Sequence, residues 1–226
     1  HGAKPPWIPG DRELESGVSA SRAARELGPM PLGRAMTTVD ESFVRASVRT
    51  VFAVVRDVEQ WPAYLAHYRW VRMRERAADG GGIVEMSASR PFGPVGWPTW
   101  WLSEMQVLDS DRPAVRFRHI GGLTKGMDVE WRLEPQAGGT FLRLLHVWDG
   151  PRWPLIGVLA ATGVIGPVFV HGIASRTVAG LARVAERAER TVAFDAHVLE
   201  GRSDEIPAAA VFVHHLAHVR VRPGQG

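Results

Sequence analysis

Cysteine is absent from the 226 residues, which rules out disulfide staples, thiolate nucleophiles and Cys-ligated zinc. Lysine is nearly absent as well, occurring only at Lys4 and Lys125, so the 27 basic residues are almost all arginine. They are interspersed with 24 acids and leave a net charge of only +3. A nucleic-acid footprint requires a basic patch or stripe, and none is present, so no nucleic-acid partner is expected. The sequence also lacks a Gly-rich phosphate loop, a G-x-G-x-x-G dinucleotide fingerprint and a G-x-S-x-G nucleophile elbow, which removes support for nucleotide and serine-hydrolase chemistry. His214, His215 and His218 with His197 are of metal-ligand type, but no acid or cysteine completes a set nearby. Neither a metal nor a cofactor is expected. The sequence opens at His1 without a basic-then-apolar stretch; a processed terminus, an expression remnant or a first ordered residue is expected there, with Met36 an alternative native start.

Long hydrophobic runs are scarce too. The exception is 153–175, which carries no Asp, Glu, Lys or Arg and is long enough on paper to span a bilayer. Two prolines, four glycines and His171 interrupt it, which weighs against a membrane span. The protein is therefore expected to be cytoplasmic, with peripheral membrane contact near this segment as the alternative. What is present is ordinary globular material, 45% hydrophobic and 23% charged, in a length that suits one large domain with tails.

The most informative stretch is 40–71, DESFVRASVRTVFAVVRDVEQWPAYLAHYRWV. Phe43 and Val44 lie in an extended run, Ser47 is a helix-capping residue, and Val51, Phe52 and Val55 recur at helical spacing. Pro62 then marks a second short helix after a D-x-E-x-W-P turn. This segment resembles the opening of the polyketide cyclase/dehydrase branch of the START and Bet v 1-like superfamily. The resemblance covers about 39–190 and implies an α+β helix-grip fold, in which a curved antiparallel sheet wraps a long C-terminal helix around an apolar cavity.

The remaining pattern agrees. After the opening strand, further strands are expected at 68–77, 83–89, 99–109, 114–120, 127–134 and 140–148, separated by turn signals such as DGGG, DSDRP and QAGG, which makes seven. In MDVEWRLE, Met127, Val129, Trp131 and Leu133 alternate with Asp128, Glu130, Arg132 and Glu134, and the polar set is assigned to water. A helix follows in which Ala174, Val178, Leu181, Ala185 and Ala188 share a stripe, while Arg176, Arg183, Glu186 and Arg187 lie off it. Gly163, Gly166 and Pro167 are expected to bend its start. Residues 1–38 read as a tail or arm with a short helical stretch at 19–27. Residues 191–226 read as a C-terminal extension, in which VAFDAHVLE alternates like a strand.

By resemblance, the family folds reactive poly-β-ketones or binds lipid-like molecules, so the polar groups of the cavity are the candidates for chemistry. Tyr68 matches the position of a cavity tyrosine in aromatase/cyclases, whose phenol donates to an enolate or carbonyl oxygen. Where those enzymes carry a central-strand arginine, this chain has Met105, flanked by Trp101 and Ser103 on the same face. The group that would stabilise developing negative charge is thus missing, and ligand binding gains on catalysis. His119 shares a face with Val115 and Phe117, and His146 with Leu142, Leu144 and Trp148, so both are candidate neutral donors or bases. The expected catalytic set is Tyr68, His119 and His146. The expected ligand-binding set is Trp101, Ser103, Met105, Phe117, Trp131, Ile156, Leu159, Val164 and Val168, around a cavity of the usual size, about 300–1,000 Å³. The partner is then a hydrophobic small molecule or lipid. The alternative is an accessory or assembly subunit of a larger, membrane-bound complex, docked through 1–38 and 191–226 onto a protein partner.

Overall fold

A computed structural model describes residues 26–92, 95–151 and 170–203, without the side chains of 90–97 and 195–203. The chain divides into two units, His1–Glu189 and Arg190–Gly226. In the first, β1 (Met36–Val44) leads into α1 (Val48–Arg56), a single 3-10 turn (Val58–Gln60) and α2 (Trp61–Tyr64). Six strands follow: β2 (Tyr68–Arg76), β3 (Gly82–Phe92), β4 (Val95–Leu108), β5 (Ala114–Gly122), β6 (Asp128–Gln136) and β7 (Gly139–Trp148). The closing helix, α3 (His171–Ser203), begins in the first unit and ends in the second.

All seven strands form one antiparallel sheet in the order β1-β7-β6-β5-β4-β3-β2. The other pairings join strands adjacent in sequence, whereas β1 pairs with β7 from the far end of the sheet sequence, Met36 against Trp148 and Val44 against Thr140. Start and stop signals explain the short helices. The Ser47 side chain accepts from Thr50 N–H at 3.3 Å, a cap worth about 1 kcal/mol, and Pro62 sits in the first turn of α2.

The core fills the space between the sheet's inner face and α3. Val51, Phe52 and Val55 of α1, Trp61, Trp131, Leu133 and Leu142 are all buried in one cluster with Ala174, Val178, Leu181 and Ala185. Polar ties fasten the helix along this face. His171 Nδ1 lies 2.8 Å from Asp40 Oδ1, His67 Nε2 is 3.0 Å from Thr177 Oγ1, the Arg45 N–H donates to Glu186 at 3.0 Å, and Ser47 Oγ donates to Glu189 at 3.1 Å. Burial pushes the Asp40 carboxyl up, and the charge and hydrogen bond of His171 draw it back.

Three expectations need correction. The face of β6 assigned to water is covered over its first half, with Asp128 5% and Glu130 7% exposed, while Arg132 is exposed and Glu134 half-buried. Its charges are matched locally instead: Arg118 Nε is 2.9 Å from Asp128, and Arg132 Nη2 is 2.5 Å from Glu130. Leu27 and Gly28 lie across this outer face. The Leu27 N–H donates to Gln106 Oε1 at 3.2 Å, Arg118 donates to the Leu27 carbonyl at 2.9 Å, and Arg116 donates to the Gly28 carbonyl. An arginine–carboxylate layer can be buried when each charge has a partner, which alternation alone does not reveal. Second, β1 starts at Met36, so the expected boundary at Val39 falls inside a strand. Third, the stretch expected to be a strand, VAFDAHVLE, lies in a helix that runs to Ser203, because no Gly or Pro interrupts residues 181–200 and each added residue gains one more helical hydrogen bond. The expected bend at Gly163, Gly166 and Pro167, the helical stretch up to 25 and the end of the extension lie outside the described residues.

Two stability outcomes follow from this packing. Leu181, 1% exposed under the sheet, becomes a cavity in Leu181→Ala, and urea unfolding should show a loss of about 2–5 kcal/mol with the slope unchanged. A chain beginning at Val39 loses buried Leu27 and Met36 and should unfold about 3 kcal/mol below the full chain; equal midpoints would show that the outer strap contributes nothing.

Candidate functional site

Between the sheet's inner face and α3 lies a cavity of about 100 Å³. Trp61 of α2, Tyr68 of β2 and Met86 of β3 form one side. Thr99, Trp100 and Trp101 of β4, with Phe117 and His119 of β5, form the floor. Leu123, Thr124 and Met127 come from the β5–β6 turn, Val129 and Trp131 from β6, and Leu144 and His146 from β7. Val170, Ile173, Ala174 and Thr177 close it from the helix side. The volume is several-fold below the expected range, because aromatic rings pack into the space. Trp61 meets Tyr68 edge-on at 5.4 Å and Trp131 at 5.7 Å, and Tyr68 meets Trp101 at 6.2 Å.

Six of the expected residues come together here: Tyr68, His119, His146, Trp101, Phe117 and Trp131. Ser103 and Met105 do not line the cavity. Met105 is buried opposite Phe117 in the β4–β5 ladder, and Ser103 is fully buried opposite His119 with its hydroxyl unpartnered. Ile156, Leu159, Val164 and Val168 lie outside the described residues.

Each histidine is oriented by a threonine. His119 Nδ1 is 2.6 Å from Thr124 Oγ1, and its ring lies against Trp101 with centroids 6.0 Å apart and 22° between planes. His146 Nδ1 is 3.4 Å from Thr38 Oγ1 on the neighbouring β1. Burial pushes His119 down to about 3, with the nearby His146 acting in the same direction, and burial alone takes His146 to about 3. Burial raises the Tyr68 phenol well above its ordinary value, and Thr177 counters only part of this. His67, beside the cavity, is lowered to about 4 by burial and by the Arg176 charge. At neutral pH the site therefore offers an un-ionised phenol and two neutral imidazoles in an apolar setting.

The threonine partners were missed at the sequence level. Thr38 in an edge strand and Thr177 on the helix's inner face lie far in sequence from His146 and His67, which hides the relation, whereas Thr124 is only five residues from His119 and is brought back to it by the β5–β6 turn. The outline of the wall was readable only through alternation, since Leu144 and His146 are two residues apart on one strand face.

Residues 44–165, a little over half of the chain, match the family of polyketide cyclase / dehydrase and lipid transport proteins, and the chain belongs to that family. Among solved structures it is similar to a protein from Thermus thermophilus, at 18% identity over 68% of this chain and 99% of that one, with a TM-score of 0.55. The Zhui aromatase/cyclase from Streptomyces sp. R1128 aligns at 19% identity over 67% of this chain and 94% of its own, with a TM-score of 0.54. The di-domain ARO/CYC StfQ from the steffimycin biosynthetic pathway aligns at 21% identity over 70% of this chain and 52% of its own, with a TM-score of 0.51. These likenesses establish the helix-grip fold. No curated protein matches the sequence.

The buried imidazoles set a pH dependence. Both are held neutral in the folded state down to about pH 3, whereas an unfolded chain takes up protons at about pH 6.5. The unfolded state then binds more protons, so stability falls as pH drops through that window, by about 2 kcal/mol per imidazole at pH 5. Asp40, whose carboxyl is raised, acts in the opposite sense, but it is one group and its pairing with His171 draws it back. Thermal unfolding should therefore show a lower midpoint at pH 5 than at pH 7, and His119→Gln with His146→Gln should reduce the difference without abolishing it, because His67, lowered to about 4, acts in the same direction. An unchanged midpoint in the wild-type chain would contradict the burial of these rings.

Proposed function

We propose that the domain binds a hydrophobic, polyketide- or lipid-like small molecule, with a ring or chain end seated in the cavity. The observation that carries this reading is the convergence of Tyr68, His119 and His146 on one apolar cavity walled by Trp61, Trp101 and Trp131. Among the described residues that line it there is no Lys, Arg, Asp or Glu, so the contacts available are apolar surface and a few neutral hydrogen bonds. Its volume admits a small moiety; a polycyclic ligand requires the aromatic side chains to move.

Cyclase or aromatase chemistry is the second reading, favoured by family membership and by the same three residues. Here the pKa directions decide the roles. Tyr68, raised by burial, serves as a proton donor to an enolate or carbonyl oxygen and not as a base. His119 and His146 at about 3 are weak bases at neutral pH, far from the matched value that makes proton abstraction efficient. They suit hydrogen bonding to a carbonyl or hydroxyl, which places binding ahead of catalysis.

Titrating the protein with single-ring, polycyclic and isoprenoid compounds should quench tryptophan emission, the single-ring compounds at the lowest concentrations. No response to any of the three classes would remove the binding reading. Tyr68→Phe keeps the ring packing and deletes only the hydroxyl. If the protein is a cyclase, turnover of a poly-β-ketone should fall about 10²- to 10⁴-fold in this variant at unchanged ligand affinity. Turnover that survives the substitution would remove Tyr68 from the catalytic set, and no turnover by the unsubstituted chain would leave a binding protein.

A further inference from the structure

We infer that the cavity selects an uncharged, oxygen-bearing ring compound over the corresponding carboxylate, with His119 and His146 each presenting Nε2 to the ligand. This rests on the binding function proposed above and narrows it to a chemical class.

The argument begins with the ring nitrogens. A neutral imidazole has one donor and one acceptor, and the group bound to Nδ1 determines what remains at Nε2. In both rings Nδ1 is the atom facing a threonine hydroxyl, Thr124 for His119 and Thr38 for His146. Among the described residues nothing pairs with either Nε2, and both side chains line the cavity. Trp101, lying nearly parallel to His119, restricts how far that ring can turn. Two oriented hydrogen-bonding atoms thus stand in a wall that is otherwise apolar apart from the Tyr68 phenol and the threonine hydroxyls.

The same wall is unsuited to an anion. A buried carboxylate needs a cation or several donors, and its uncompensated desolvation costs several kcal/mol. No charged side chain lines the cavity among the described residues. Protonating an imidazole to supply the missing cation is opposed by the burial that holds both rings neutral. A ketone or phenol meets neither penalty. Thr38 and Thr124 are then positioning residues, acting on the ligand through the imidazoles.

The test compares 4-hydroxyacetophenone with 4-hydroxybenzoate, which share ring and hydroxyl and differ in an acetyl against a carboxylate. At pH 7 calorimetric titration of the full chain should show the ketone binding at least about tenfold more tightly. Nitrogen-15 spectra of the histidines should show the Nε2 resonances of His119 and His146 moving on addition of the ketone. Thr124→Val should disturb the tautomer balance of His119 in the same spectra, and Thr124→Ser should restore it, which mere packing would not do. Equal or tighter binding of the benzoate overturns the inference and leaves the binding function standing. Binding of the ketone without movement of either Nε2 resonance also overturns it. If single-ring compounds of the emission panel bind but neither probe does, the inference fails alone; if nothing quenches and neither probe binds, both readings fail together.

Discussion

Everything in this molecule depends on α3 covering the inner face of a sheet that cannot stand alone. One face of an antiparallel sheet must be buried, and here Val178, Leu181 and Ala185 provide the cover over Trp131, Leu133 and Leu142. The polar ties at Asp40, His67, Arg45 and Ser47 contribute less energy than this apolar contact but fix the rotation of the helix. Rotation matters because it brings Ile173, Ala174 and Thr177 to the cavity and keeps Arg176 off it. The site is thus a by-product of imperfect packing between two surfaces whose main role is to hide each other.

The outer face follows a different rule. Its layer of Arg116, Arg118 and Arg132 with Asp128 and Glu130 is covered in part by Leu27 and Gly28, which makes the sheet a middle layer at that point. Arg116 is the least comfortable member. Its Nε lies 3.3 Å from Glu130 but without hydrogen-bond alignment, and burial lowers the guanidinium while both neighbouring carboxylates support it. Such a layer holds register through charge matching, where an apolar layer would hold it through shape.

The strands and the gripping helix were legible because strand period, turn glycines and the stripe on α3 are local properties. Ser47 as a cap and Pro62 as a helix start were legible for the same reason. Convergence of Tyr68, His119 and His146 also followed, since residues on one face of a curved sheet point to one centre. The cavity volume was not legible, because it is a small difference between the space enclosed and the side chains filling it. Nor were Thr38 and Thr177, the cover over Glu130, or the continuation of α3 beyond Arg190, each of which depends on groups remote in sequence or on competition between two regular structures that the same alternation allows.

The pairing of β1 with β7 carries a consequence for the way the chain is made. Met36 leaves the ribosome long before Trp148, its partner, and His171, which ties to Asp40 on the same strand, is later still. At about 5–20 residues per second, β1 waits roughly 5 to 20 s with no strand to pair with and no helix above it. During synthesis the opening strand is therefore an unpaired edge, and its alternation of Glu41 with Val39 and Phe43 on the outward side gives it a charge that discourages premature association with other nascent chains.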